Sequence, residues 1–110
     1  MRSGIYLTGG TARGAKLFSV PGSDVRPALA RVRTSLFEIL RPRLEGARMA
    51  DLFAGTGSLG LEALSRGAAF ALFLDIDDRC VEVLRRNLEK LKFASSASVV
   101  KGSAFTHAPE

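Results

Sequence analysis

The sequence predicts an α/β fold: half of a doubly wound parallel sheet, preceded by a basic hairpin or arm and a helix. Three observations carry this. From residue 47 onward, short apolar runs alternate with segments of helical periodicity, in the order strand, helix, strand, helix, strand. The first run opens into a glycine-rich turn followed by a helix. The second run, residues 69–74, is continuously apolar, as expected of a parallel strand covered on both faces. A length of 110 residues allows one domain, and 46% hydrophobic with 25% charged residues is ordinary for a globular chain. A doubly wound fold continues beyond three strands, so the chain reads as cut off. Its exposed sheet edge is then open to self-association.

Each element has a local reason. In the N-terminal segment, Ile5-Tyr6-Leu7 and Lys16-Leu17-Phe18-Ser19-Val20 are β-prone runs. Thr8-Gly9-Gly10-Thr11 lies between them and Pro21-Gly22 closes the second, which reads as an irregular hairpin. Phe18 lies in an apolar run and is expected to anchor in the core. Residues 28–40 repeat Leu29, Val32, Leu36 and Leu40 at helical spacing, so that stripe is expected to be buried, with Arg31, Thr34 and Glu38 opposite. Pro27 suits the first helical turn, and Pro42 is expected to end the helix. Residues 47–53 read as a buried strand, and 58–65 as a helix stopped by Gly67. Asp77 can cap the next helix, with Asp78 favourable at its positive end. That helix carries Val81, Leu84, Leu88 and Leu91 on one stripe, and Cys80 is expected to be a small buried residue there, not a nucleophile. Residues 97–101 form a third strand.

Charge is unevenly distributed. The net charge is +5, but residues 1–50 carry nine basic against three acidic residues, and residues 51–110 seven against eight. A one-sided excess points to a polyanionic partner such as nucleic acid, while solubility is the plainer alternative. Arg2, Arg13, Lys16, Arg26, Arg31 and Arg33 are the candidate phosphate contacts. Tyr6 and Phe18 are the only aromatics early enough to interleave with them. No apolar run reaches the roughly 18 residues needed to cross a bilayer, and the N-terminus lacks a secretory pattern. Cys80 is the only cysteine and His107 the only histidine, which excludes an internal disulfide and argues against a metal site. A cytoplasmic setting is the default. His107 has no carboxylate or nucleophile motif near it and receives no role.

The most informative segment runs Asp51-Leu-Phe-Ala-Gly55-Thr-Gly57-Ser-Leu-Gly60. Its glycines match G-x-G-x-x-G between a strand and a helix, which brings a ligand to a helix N-terminus at the carboxyl edge of the sheet. Asp75 ends the second strand 20 residues after Gly55, where a carboxylate can accept hydrogen bonds from both hydroxyls of a ribose. These features suit any nucleoside cofactor. Asp51 discriminates, because a carboxylate at that strand end opposes a pyrophosphate but favours the sulfonium and α-amino groups of S-adenosylmethionine. A strand-end Asp that merely caps the glycine loop is the alternative.

DLFAGTGSLGLEALSRGA resembles motif I and the following helix of the RsmD-type 16S rRNA (guanine-N2) methyltransferases. GGTARGAKLFSVPG, Arg26-Pro27 and RVRTSLFEIL are similar to that family's N-terminal segment. The resemblance runs from about Thr8 to Ala104. It implies a class I, Rossmann-like methyltransferase fold, S-adenosyl-L-methionine as methyl donor, and a guanine of 16S rRNA in the small ribosomal subunit as acceptor. It places Asp51, Gly55 and Gly57 around the methionine part of the cofactor, Asp75 on the ribose and Ile76 beside the adenine. Phe53, Ala54, Ser103 and Ala104 complete the expected cofactor set. Arg13, Lys16, Arg26 and Arg31 are the expected RNA contacts, with Arg26 and Arg31 preferred. Residues 1–25 are then a basic arm and 26–110 a partial cofactor-binding domain. Two departures stand out. Gly102-Ser103-Ala104 replaces the family's Gly-Asp-Ala, which weakens adenine recognition. The family's Asp-Pro-Pro-Tyr motif does not occur, so no catalytic residue is assigned. A non-catalytic RNA- or nucleotide-binding relative and a dinucleotide-dependent oxidoreductase fragment remain as alternatives.

Overall fold

The computed structural model describes residues 5–20, 27–52, 54–55 and 57–102, with side chains except at 27–30. Arg2, Arg26, Phe53, Ser103, Ala104 and His107 lie outside the described residues. The elements are β1 (Ile5–Tyr6), β2 (Lys16–Leu17), α1 (Pro27–Leu44), β3 (Arg48–Asp51), α2 (Ser58–Ser65), β4 (Phe70–Asp75), α3 (Asp78–Leu91), a single 3-10 turn (Ala94–Ser96) and β5 (Ala97–Lys101). β1 and β2 pair antiparallel, Ile5 opposite Leu17 and Tyr6 opposite Lys16. β3, β4 and β5 form a parallel sheet in that order. Asp51 stands opposite Phe73, and Asp75 opposite Lys101. The carboxyl ends of β3 and β4 therefore meet at one edge, where the glycine loop begins. The fold class expected from the sequence is the one observed, but β3 is not the buried strand expected: Arg48 and Ala50 are exposed and only Asp51 is buried.

Phe73, with no exposed surface, and Ala71 from β4 pack with Leu61 and Ala63 of α2 and with Leu84 and Leu88 of α3. Asp77 caps α3 by accepting a hydrogen bond from the Arg79 N–H at 2.8 Å. Leu7 and Leu17 of the hairpin join this same core. The arm is thus seated on the sheet's helices by apolar contact.

Two expectations about α1 are corrected. The helix does not stop at Pro42 but runs through it to Leu44. Leu44 is buried two turns beyond buried Phe37, on the same face. That packing holds the last turn in place despite the lost backbone donor. The buried face is also not the apolar stripe read from spacing: Val32 is 63%, Leu36 39% and Leu40 37% exposed, and Ile39 beside them is 76% exposed. Arg33, Phe37 and Leu44 face inward instead. Arg33 is drawn in by a buried carboxylate on α2, a partner that no periodicity within α1 reveals.

Candidate functional site

The glycine loop is clasped to the end of β4. The Gly55 N–H donates to the Asp75 carboxylate at 2.8 Å, and the Asp77 N–H donates to its other oxygen at 2.9 Å. The Ala54 N–H donates to the Leu74 carbonyl at 3.0 Å, carrying the β3–β4 ladder into the loop. The Gly102 N–H ties the end of β5 to the Asp75 carbonyl at 2.9 Å. Gly55 and Gly57 both adopt left-handed backbone, with φ of 56° and 92°. Among the described residues nothing beyond its chain neighbours lies within 4 Å of where a Gly55 side chain would begin, so they leave that side of the loop open. Gly57 and Gly60 are packed tightly: a Cβ would come within 2.3 Å of Leu84 and 2.2 Å of the Phe73 ring, respectively. The first glycine of the motif thus faces outward, while the other two let α2 settle on the sheet.

A carboxylate has about four acceptor positions. Asp75 uses one on each oxygen for the loop, which leaves capacity for two hydroxyl donors. Ile76, next in sequence, is 67% exposed and presents an apolar side chain at the same edge. Asp51 ends β3, buried, at that edge too. The structure therefore gathers Asp51, Ala54, Gly55, Gly57, Asp75 and Ile76 at one end of the sheet. An open loop, a carboxylate with spare acceptors and a neighbouring apolar side chain fit a ribose carrying a flat heterocycle. Burial and the nearby carboxylates of Asp75 and Asp77 push the Cys80 thiol up, so it is not a poised nucleophile. Among the described residues no cluster fits a metal ion, and no helix is long and apolar enough to cross a membrane.

Sequence reasoning missed the ionic clasp beneath the arm. Glu62 of α2, with no exposed surface, accepts from the Thr8 N–H (3.0 Å), the Thr8 hydroxyl (3.1 Å) and the Gly9 N–H (3.0 Å). It also pairs with Arg33 at 2.9 Å and Arg66 at 2.8 Å. Burial alone would push this carboxyl up. Hydrogen bonds from Arg66, the Thr8 backbone, Arg33 and the Thr8 hydroxyl outweigh it and hold the group below the usual carboxylate range. Ser65 adds a bond to the Gly9 carbonyl (2.7 Å) and accepts one from the Ala12 N–H (2.9 Å). The helix that leaves the glycine loop is the one that holds the arm. A glutamate inside the otherwise apolar stretch Leu59 to Leu64 was the available signal.

Arg33 is consequently committed to Glu62 and to the Tyr6 carbonyl at 2.5 Å, not free for phosphate. Arg13, Lys16 and Arg31 are exposed. Arg31 lies about 200° round the helix from Arg33, so it faces away from the hairpin and is not brought together with Arg13 and Lys16. Phe18 is not a core anchor. It is 38% exposed, with the Arg86 guanidinium 4.7 Å from its ring centre.

A family model described as Conserved hypothetical protein 95 matches residues 5–110. The chain belongs to that family. Relatives of the family are of the RsmD type that the sequence resembles. The chain is 43% identical over 102 residues to ribosomal RNA small subunit methyltransferase D of Escherichia coli strain K12, across 93% of this chain and 51% of the relative. It is 38% identical to the protein of the same name from Haemophilus influenzae, across 87% and 50%. The solved structure of yhhF from Escherichia coli superposes with a TM-score of 0.85 at 43% identity, covering 94% of this chain and 55% of that one. The chain spans about half the length of the curated relatives it matches.

Proposed function

We propose that this chain is the cofactor-binding half of an S-adenosylmethionine-dependent methyltransferase acting on N2 of a guanine in 16S rRNA of the small ribosomal subunit. The observation that carries the reading is the clasp of Gly55 on Asp75, which leaves carboxylate acceptors beside an open loop. Asp75 would hold the ribose, Ile76 would cover one face of the adenine, and Asp51 with the Gly55–Gly57 turn would receive the methionine end. When bound, S-adenosylmethionine supplies a methyl group on a positively charged sulfur. The buried Asp51 carboxylate favours that charge and disfavours the pyrophosphate of a dinucleotide. Phe53, Ser103 and Ala104 belong to the same proposed cofactor set, and Arg13, Lys16, Arg26 and Arg31 to the proposed RNA contacts. The names of the family's relatives support the rRNA substrate.

The proposal treats residues 1–25 as a substrate-facing arm and 26–110 as the cofactor unit, in a cytoplasmic protein. It includes self-association of these 110 residues, because among the described strands β3 pairs on one side only. No group is assigned to hold the acceptor guanine in line with the methyl, so the chain on its own is expected to transfer none. Calorimetric titration tests the reading. S-adenosylhomocysteine should bind and NAD should not. NAD binding without S-adenosylhomocysteine binding would overturn it.

A further inference from the structure

The outer side of the hairpin and the C-terminal half of α3 form one face that carries two exposed rings among cations. Tyr6 and Lys16 are directly opposed in the β1–β2 ladder and project to the same side, opposite to buried Leu17. Tyr6 is 45% exposed. Phe18 follows two residues after Lys16, with the Lys90 ammonium 5.0 Å from its ring centre and the Arg86 guanidinium also over it. Lys90 donates to the Lys16 carbonyl, joining helix to hairpin. Phe18 is pinned by its backbone. Its N–H donates to the Asn87 side-chain oxygen at 2.7 Å, and the Asn87 amide donates back to its carbonyl at 3.1 Å. Asn87 is fully buried, so a core side chain holds this ring at the surface. From Arg85 to Lys92, the residue that caps the helix, there are four basic residues against Glu89 alone.

Exposed rings beside cations are what single-stranded nucleic acid requires: a π-face for each base and positive charge for the backbone. We infer that Tyr6, Lys16, Phe18, Arg86 and Lys90 form a binding surface for a single-stranded segment of the RNA. The inference rests on the RNA reading above and deepens it. The surface is remote from the cofactor edge: Lys90 stands about 18 Å along α3 from Asp78. It therefore grips nucleotides that flank the acceptor, not the acceptor itself. Bases stack on Tyr6 and displace Arg86 and Lys90 from the Phe18 ring, which releases both cations, with Lys16, to phosphates.

The test is fluorescence anisotropy with a labelled single-stranded RNA of about 12 nucleotides, within the usual site sizes, across a salt series, using the 110-residue chain. Phe18→Ala should weaken binding roughly fivefold to a hundredfold, the range for one lost stacking contact, with the salt slope unchanged. Arg86→Gln with Lys90→Gln should make the log–log salt slope shallower by about 1.4, the loss of two phosphate contacts. Both positions are exposed, so this pair carries the test if Phe18→Ala unfolds the chain. S-adenosylhomocysteine affinity, measured in parallel, should stay within about twofold in every variant. Equal affinity and slope in wild type and the Gln pair would overturn the surface, as would cofactor binding by a wild-type chain that ignores RNA. Loss of cofactor binding by wild type would instead be a failure of the function proposed above. An Arg86/Lys90 effect on duplex but not single-stranded RNA would show a shape reader and overturn the stacking role.

Discussion

Replacing Glu62 with Gln measures how firmly the arm is fixed to α2. Gln keeps the volume but removes the charge and turns an amide toward donors. The native carboxylate receives Thr8, Gly9, Arg33 and Arg66. Arg33 is only 5% exposed, so its guanidinium would be left buried without a counter-charge. Breaking such a pair costs about 3–5 kcal/mol, against a total of about 5–15 kcal/mol for a domain. Urea unfolding at pH 7, followed by circular dichroism, should therefore show Glu62→Gln losing about 3 kcal/mol or more. Adding Arg33→Met should restore part of the loss, because the orphaned cation goes with it. A loss under about 1 kcal/mol, the range of exposed ion pairs, would refute the idea that the clasp secures the arm.

Three other outcomes are expected. The Glu62 carboxyl is held below its ordinary value of 4.5, so its stabilisation is complete above that pH and fades as pH falls through the lower folded-state value. Acid unfolding of wild type below about pH 4.5 should be steeper than that of Glu62→Gln, and parallel acid titrations would contradict this. Gly60→Ala drives a methyl into the fully buried Phe73 ring and should cost about 1–3 kcal/mol in the same urea assay. Self-association through the open β3 edge should appear as concentration-dependent species in sedimentation velocity; a chain that stays monomeric at every concentration would refute it.

The elements from residue 47 onward were legible because each signal there is local. Asp77 caps its own helix, the 70–75 run is apolar and pairs as a central parallel strand though only its Ala71–Phe73 face is fully covered, and the glycines mark the turn. The juxtaposition of the glycine loop and Asp75 followed from the same local signals, since Asp51 and Asp75 end adjacent parallel strands and Gly55 lies just past the first. What stayed hidden is set by contacts between distant residues. Arg33 and Glu62 lie 29 positions apart, and that pair turns α1 away from its most apolar face. Phe18 and Asn87 lie 69 positions apart, and that bond places a ring at the surface that its apolar neighbours suggested was buried. Spacing within one segment reports what can be buried together. It does not report which face a partner elsewhere in the chain will claim.

The central claim is that the Asp51–Gly55–Asp75 edge takes S-adenosylmethionine, and amide chemical-shift mapping of the isotopically labelled chain tests it most directly. Titration with S-adenosylhomocysteine should move the amide signals of Gly55, Gly57, Ile76 and Asp77 in wild type, and not those of Glu89 and Lys90 at the far end of α3. The shifts should largely vanish in Asp75→Ala. Shifts clustered away from this edge, or a full response in Asp75→Ala, would contradict the account.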